Sequence, residues 1–290
     1  MTRLRGRVSR RSLATSLIAL AAAACSPLKL FDALVPKDSG VTLVAKDESF
    51  GSDPRQRLDV YRPRNAGRAR LPIIIFIYGG SWNSGSKSGY SFVGRALADR
   101  GFLVAIPDYR LVPKVRFPAF LEDNANALRW VIAHAGSLGG DPDRIVIAGH
   151  SAGAYDAAML ALDPRWLGDD RRRIRGLIGL AGPYDFLPFK GDVVEQAFAG
   201  VRNPATTQPI EFVRPGDPPA FLATGDKDDF VRPYNSDALA AKLRAAGVVV
   251  ERKTYENVGH VGLLTAIARP FRGRASVLDD MSDFAARAVR

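Results

Sequence analysis

The sequence is poor in two residue types that carry much of enzyme chemistry. Its 290 residues include one cysteine, Cys25, and three histidines, His134, His150 and His260. A lone cysteine excludes any disulfide within the chain. No segment repeats at a fixed period, which argues against solenoid and propeller architectures. With 47% hydrophobic and 24% charged residues, the rest of the composition is that of an ordinary globular protein.

The first 25 residues lack acidic side chains altogether. Five arginines accompany an apolar run from Leu13 to Ala24, a pattern typical of an export signal and short for a membrane span. The sequence AAAACS around Cys25 resembles a bacterial lipoprotein processing site. We therefore expect residues 1–25 to be an export signal, residues 26–290 to form one domain, and Cys25 to carry a lipid that anchors the exported protein to a bacterial membrane. A plain secretory signal into the periplasm, with an incidental cysteine, is the alternative.

The formal net charge of +11 does not by itself indicate a nucleic-acid partner. Five arginines lie in the expected export signal, which leaves +6 for residues 26–290. The basic run Arg171–Arg175 is accompanied by no aromatic stacking platform and no DNA-binding motif. We interpret it as a solvated loop that could face anionic lipid headgroups.

Apolar runs alternate with helical patterns along the rest of the chain. The runs predict strands at 57–63, 71–80, 102–110, 144–149, 176–182, 220–226 and 248–256, with helices at 117–136, 151–162, 235–247 and 276–290. This alternation predicts an α/β fold, with a mostly parallel sheet covered by helices on both faces. Residues 41–47 and 57–61 are expected to form an antiparallel hairpin at one edge. Residues 182–219, which have weak periodicity, are expected to pass over the active face.

A serine lies at one strand-to-helix junction, in the pentapeptide GHSAG of residues 149–153. A Gly-x-Ser-x-Gly pattern in this context is typical of a nucleophile elbow, where the serine projects at the carboxyl edge of the sheet. The simpler interpretation is a small-residue turn with Ser151 as the helix N-cap. The clear strand before it and the clear helix after it favour Ser151 as a nucleophile.

A serine hydroxyl requires a general base to be nucleophilic at neutral pH. His150 adjoins Ser151, so its ring is expected to point away, and His134 lies within a predicted helix. His260 follows the final strand in a glycine-bordered loop that can extend over the sheet edge. Elimination and position therefore indicate His260 as the base.

A third group must orient that base, and the sequence offers three candidates in one loop. Asp226, Asp228 and Asp229 follow a predicted buried strand, in the chain order Ser…Asp…His that is typical of hydrolases of this kind. A calcium loop is the alternative use of close aspartates, but the regular ligand spacing of a calcium hand is missing. The glycine-rich loop Ile77–Gly85 follows another strand and could offer N–H groups to an oxyanion, or could simply turn the chain.

Several segments, in this order, resemble the α/β-hydrolase esterase/lipase family related to hormone-sensitive lipase. They are YGGSW (78–82), DYRLVP (108–113), GHSAG (149–153), GDKDDFV (225–231) and VGH (258–260), and the resemblance covers roughly residues 57–264. It implies the α/β-hydrolase fold, selects Asp228 as the acid, and places the oxyanion donors at the N–H groups of Gly80, Ser81 and Ala152. Two departures stand out. Tyr78 replaces a histidine that braces the loop, so another group must hold it, and Ser81 replaces a glycine.

These features together predict a serine hydrolase that cleaves small or short-acyl carboxylic esters through an acyl-enzyme. The triad is Ser151, Asp228 and His260. No metal or other cofactor is implied, the expected partner is a small-molecule ester, and no oligomeric state follows. Short acyl groups are expected for three reasons. The side chain of Ser81 adds bulk beside the oxyanion, and few residues between the expected signal and the first strands are left to form an N-terminal cap. Residues 182–219 lack a long apolar helical stripe that could line an acyl tunnel. Aryl-formamide hydrolysis, peptide cleavage or an inactive surface binding protein are the alternatives.

Overall fold

The computed structural model describes residues 27–67 and 69–290. The predicted export signal and Cys25 lie outside these residues. The strands of the described chain are Val41–Ser49 (β1), Arg57–Pro63 (β2), Leu71–Ile77 (β3), Leu103–Pro107 (β4), Gly140–His150 (β5), Ile174–Leu180 (β6), Ala220–Gly225 (β7) and Val250–Tyr255 (β8). They form one sheet in the order β1-β2-β4-β3-β5-β6-β7-β8.

Six of the eight strands, β3 to β8, are joined by parallel pairing, as the alternating pattern predicts. β1 pairs antiparallel with β2, and β2 pairs antiparallel with β4, which confirms the predicted hairpin at one edge. The central strands are apolar without alternation because helices cover both faces of the sheet. Residues Ile73–Ile77 of β3, for example, are almost fully buried. The opposite edge strand, β8, instead carries charged residues, which suits a strand with one unpaired side.

Nine helices accompany the sheet within the described residues. They are Pro27–Leu34 (α1), Ser91–Asp99 (α2), Ala119–Leu138 (α3), Ala152–Leu162 (α4), Pro164–Leu167 (α5), Asp192–Ala197 (α6), Tyr234–Ala245 (α7), His260–Thr265 (α8) and Val277–Ala288 (α9). All eleven residues of α4 are buried, which explains its alanine-rich sequence. No helix among residues 27–67 and 69–290 is both long and apolar enough to cross a bilayer.

Five of the nine helices (α1, α2, α5, α6 and α8) were not predicted from the sequence, and α1 and α2 are the longest of them. α2 connects β3 to β4 and buries one face against the sheet. α1 occupies the short stretch before β1, where the sequence suggested little more than a connection. Both are short, at eight and nine residues, so each offers too few turns for a helical period to be recognised in the sequence.

The segment 182–219 does leave the sheet, as predicted. It contains α6 and two short 3₁₀ turns, Pro204–Thr207 and Pro209–Phe212. Its first part, from Pro183 to Val194, lines a cavity together with Ser151. The excursion therefore covers the carboxyl edge of the sheet, where the predicted site residues lie.

Candidate active site

Ser151 occupies the sharp turn between β5 and α4. Its backbone has φ 55° and ψ −125°, a strained conformation for a residue with a side chain. A Cβ on Gly149 would overlap the carbonyl of Gly153, and a Cβ on Gly153 would overlap the carbonyl of Ile77. The two glycines therefore let strand and helix approach closely enough to project the serine at the sheet edge.

His260 and Asp228 lie together at this same edge. His260 Nδ1 is 2.8 Å from Asp228 Oδ2. The other oxygen of Asp228 accepts hydrogen bonds from the backbone N–H groups of Phe230 and Val231, at 3.1 and 2.8 Å. These bonds fix a buried carboxylate toward Nδ1, which leaves the other ring nitrogen of His260, Nε2, directed away from Asp228.

The neighbouring aspartates of this loop do not share that arrangement. Asp226 and Asp229 are both exposed, and Asp226 pairs with Lys227 at 3.3 Å. Asp228 is only 2% exposed. Among the three candidates, Asp228 is therefore the one that contacts His260. His260 itself begins the short helix α8 rather than lying in a loop, and a glycine precedes it.

The other two histidines have different surroundings. His134 is exposed on α3 and stacks on Trp130, with ring centroids 4.0 Å apart. His150 is buried, and its ring lies 4.8 Å from that of His260. Its Nε2 is 3.2 Å from the backbone oxygen of His260. Burial, aided by the nearby His260, lowers the pKa of His150 to about 3, so the ring is neutral at physiological pH and packs against His260.

The loop after β3 contains three consecutive residues with positive φ. Gly80 has φ 133°, Ser81 has φ 50° and Trp82 has φ 59°. A Cβ on the preceding Gly79 would lie 2.8 Å from the Cβ of Ser151, so this backbone passes directly beside the serine.

Three N–H groups near Ser151 are free of internal partners. Within the part of the chain that the structure describes, the N–H groups of Gly80, Ser81 and Ala152 donate to no other protein atom. Ala152 also begins α4, whose N-terminus carries partial positive charge. The arrangement suits an anionic oxygen bound to Ser151.

A network of aromatic and charged residues holds this loop in place of the missing histidine. The hydroxyl of Tyr78 accepts a hydrogen bond from Arg55 at 2.7 Å, and Arg55 also donates to the carbonyl oxygen of Gly85 at 2.9 Å. The hydroxyl of Tyr90 accepts from the N–H of Gly79 at 3.1 Å. Tyr78 stacks on Tyr109 at 4.7 Å. Arg55 precedes β2 in sequence, and no local pattern connects it to this loop.

A second anchor for the loop lies in the core beneath Ser151. Trp82 Nε1 donates to Asp156 Oδ1 at 3.1 Å, and Asn124 donates to the other oxygen of Asp156 at 3.1 Å. Burial raises the pKa of the Asp156 carboxyl well above its ordinary value. Sequence reasoning did not identify Asp156, although a carboxylate within an otherwise apolar helix is a usable signal.

Two cavities meet at Ser151. The larger, about 980 Å³, lies between the sheet edge and the segment 183–194. The smaller, about 460 Å³, contains His260 and extends toward α1. Residues 27–67 and 69–290 hold no cluster of three or more His, Cys, Asp or Glu side chains suited to a metal ion.

Comparisons with known proteins agree with this geometry. The chain matches the BD-FAE family over residues 58–243. It is 30% identical to the carboxylesterase NlhH of Mycobacterium tuberculosis over 233 residues, which is 72% of each chain. It is 28% identical to a probable isoprenylcysteine alpha-carbonyl methylesterase of Oryza sativa over 268 residues, 82% of this chain and 61% of that protein. The chain spans only 54 to 63% of the length of this and two other curated relatives.

Solved structures share the fold. EstE1, a thermostable carboxylesterase from a metagenomic library, superposes with a TM-score of 0.77 at 24% identity, covering 91% of this chain and 94% of that one. Esterase B of Lactobacillus rhamnosis, inhibited by a tributyrin phosphonate, superposes with a TM-score of 0.80 at 20% sequence identity, and 97% of each chain is covered. These similarities confirm the expected α/β-hydrolase fold.

Proposed function

The chain belongs to the BD-FAE family of α/β-hydrolase esterases, and from this premise we propose that it is a serine carboxylesterase acting through an acyl-enzyme. The observation that carries the proposal is the hydrogen bond between Asp228 and His260 in a site shared with Ser151. The names of the relatives, which are esterases, carboxylesterases and methylesterases, support ester hydrolysis as the reaction.

The first half-reaction forms a bond between Ser151 and the acyl group. His260 accepts the hydroxyl proton as Ser151 Oγ attacks the ester carbonyl, and Asp228 stabilises the imidazolium. The carbonyl oxygen becomes an oxyanion that the N–H groups of Gly80, Ser81 and Ala152 can bind. His260 then gives the proton to the departing alcohol. In the second half-reaction, His260 takes a proton from a water that attacks the acyl carbon, and it returns that proton to Ser151 Oγ as the acyl–oxygen bond breaks and the carboxylic acid is released.

Compact acyl groups are the preferred substrates in this proposal. Beneath the larger cavity the space is filled by an aromatic cluster, in which the ring of Trp82 lies 5.2 Å from Tyr155, 5.1 Å from Phe198 and 6.3 Å from Phe186. This packing closes the route by which a long chain would enter the core. Methylenes beyond a few carbons would then lie near the charged side chains of Lys190, Asp192 and Arg232 that line the cavity, and would gain little binding energy.

Hydrolysis of p-nitrophenyl esters from two to sixteen carbons tests both statements. The expected result is a maximum of kcat/KM at a short acyl chain. A maximum at twelve carbons or more would contradict the acyl preference but leave the esterase assignment intact. Cleavage of aryl formamides or peptides, with no ester hydrolysis, would contradict the assignment itself.

Export and lipid attachment belong to the same proposal. The basic and apolar residues 1–24, followed by Cys25, support cleavage before Cys25 and a lipid on its side chain. Mass analysis of the purified protein from a bacterial host decides both points. A mature chain that begins with bare Cys25 would contradict only the lipid, whereas an uncleaved Met1 would contradict export.

A further inference from the structure

We infer that the smaller cavity beside Ser151 is an apolar subsite for the leaving alcohol, and that α1, the first helix of the described residues, forms one of its walls. The inference rests on the proposed ester hydrolysis. The acyl and alcohol halves of the ester are thereby assigned to two different cavities, and α1, which lies outside the catalytic loops, becomes a determinant of alcohol specificity.

The position of His260 separates the two cavities. Both are lined by Ser81, Ser151 and Phe230, so they meet at the nucleophile. His260 lines only the smaller cavity, and Ala152 lines only the larger one. The leaving oxygen must receive its proton from His260, so the alcohol lies on the side of His260. The acyl group bonded to Ser151 then extends into the larger cavity.

The linings of the two cavities differ in charge. The larger cavity includes the side chains of Lys190, Asp192, Asp229 and Arg232. The smaller cavity is lined by no aspartate, glutamate, lysine or arginine among the described residues. Its walls away from the catalytic groups are apolar side chains, including Leu28, Phe31, Phe230, Val261 and Leu264. Such a lining selects an apolar alcohol over a charged one.

α1 is held firmly enough to act as a wall. The buried carboxylate of Asp32 accepts hydrogen bonds from the hydroxyl of Ser91, at 2.8 and 2.9 Å, and from the N–H of Phe92, at 2.8 Å. These donors lie at the first turn of α2, where a carboxylate is also favoured by the helix dipole. The side chain of Asp32 thus ties α1 to the main body of the protein.

Further contacts fix the helix on its other sides. The ring of Phe31 packs edge-on against Phe92, with centroids 5.3 Å apart, and stacks on Phe271 at 5.9 Å. Just after α1, Asp38 forms a bidentate pair with Arg272, at 3.0 and 2.6 Å. The cavity beside His260 is therefore bounded by an ordered helix on the α1 side.

The length of the alcohol should determine kcat/KM in a predictable way. Each methylene of the alcohol that enters the cavity should raise kcat/KM about fourfold. Acetate esters all give the same acetyl-enzyme, so a change in alcohol affects acylation and leaves deacylation untouched. The effect of the alcohol is therefore measured as a change in kcat/KM, which reports acylation.

The experiment compares substitutions at two neighbouring positions of α1 in the full chain. Leu28→Trp fills the cavity, whereas Leu30→Trp places the same ring on the exposed face, where Leu30 is 48% exposed and does not line the cavity. The substrates are methyl, butyl and hexyl acetate, with methyl acetate, butyrate and hexanoate as the acyl series. Leu28→Ala, which enlarges the cavity, serves as the second variant.

The native protein should prefer hexyl over methyl acetate. Leu28→Trp should reduce that preference about tenfold, while its kcat/KM values for the acyl series change by less than twofold. Leu28→Ala should retain the preference for hexyl acetate. Leu30→Trp should match the native protein in both series. A native enzyme that hydrolyses these esters without regard to the alcohol, or a Leu28→Trp variant that changes only the acyl series, would overturn the subsite and leave the esterase intact. Absence of ester hydrolysis by the native chain would overturn the esterase and the subsite together.

Discussion

The Nδ1 atom of His260 lies 2.8 Å from Oδ2 of Asp228, although 32 residues separate the two in sequence. Asp228 is in turn held by two backbone N–H groups of its own loop. The imidazole is therefore oriented by a carboxylate that has little freedom to move. The pair thus places an oriented imidazole beside Ser151, which is nearly buried at its strained turn.

Removing the charge of Asp228 should be far more damaging than removing that of its neighbours. Asp228→Asn places an amide against Nδ1 and favours the wrong histidine tautomer, which in enzymes with this triad costs on the order of 10⁴ in kcat. Asp226→Asn and Asp229→Asn are the controls and should stay within about threefold of the native rate, since both carboxylates are exposed. Steady-state kinetics on one short-chain ester checks this. Similar losses in all three variants would mean that another group orients His260.

The hydrogen bond from Trp82 to Asp156 should matter for rate more than for substrate binding. Trp82→Phe removes the Nε1 donor, so the strained loop of Gly80 and Ser81 loses an anchor. We expect kcat to fall about tenfold and KM to change less than twofold. Trp166→Phe is a matched control because the buried Nε1 of Trp166 has no hydrogen-bond partner in the described chain. A rise in KM with kcat unchanged would show that Trp82 contributes to binding alone.

His150 should make the folded protein sensitive to acid. Its pKa is about 3 in the folded state and about 6.5 when unfolded, so the unfolded chain binds the extra proton first. The stability that this group contributes is complete above pH 6.5 and declines by about 1.4 kcal/mol per pH unit as the pH falls toward 3. Urea unfolding at pH 7 and pH 4.5 measures the free energy of unfolding. Between these two pH values His150→Gln should lose less of it than the native protein does. His134→Gln, at an exposed site, should lose as much as the native protein, and equal losses in both variants would contradict the account.

Gly153 and Gly136 should respond in opposite ways to the same substitution. Gly153→Ala places a Cβ against the backbone carbonyl of Ile77 and should destabilise the fold by several kcal/mol or prevent folding. Gly136, within α3, has open space around its would-be Cβ, so Gly136→Ala should stabilise the protein by about 1 kcal/mol. Thermal unfolding measures both. A Gly153→Ala protein as stable as the native one would show that strand and helix need no such close approach at the elbow.

The sequence predicts the elements that carry the site better than the contacts that hold them. Ser151, Asp228 and His260 each follow a strand of one parallel sheet, and the carboxyl ends of such strands meet at one edge. The residues that brace the loop of Gly80 and Ser81 carry no such signal. Arg55 contacts Tyr78 across the fold, and α1 depends on Asp32 contacting a helix about 60 residues away. These are tertiary contacts, which hydrophobic periodicity does not encode.

Covalent labelling shows directly whether Ser151 is the nucleophile. The folded full chain is treated with a fluorophosphonate, and the adduct is located by mass analysis of its peptides, with Ser151→Ala as the control. We expect one adduct, on Ser151, that forms more slowly in the presence of a short-chain ester. It should be missing from a folded Ser151→Ala protein that has lost turnover. A label on a different residue, or ester hydrolysis at the native rate by Ser151→Ala, would contradict this expectation.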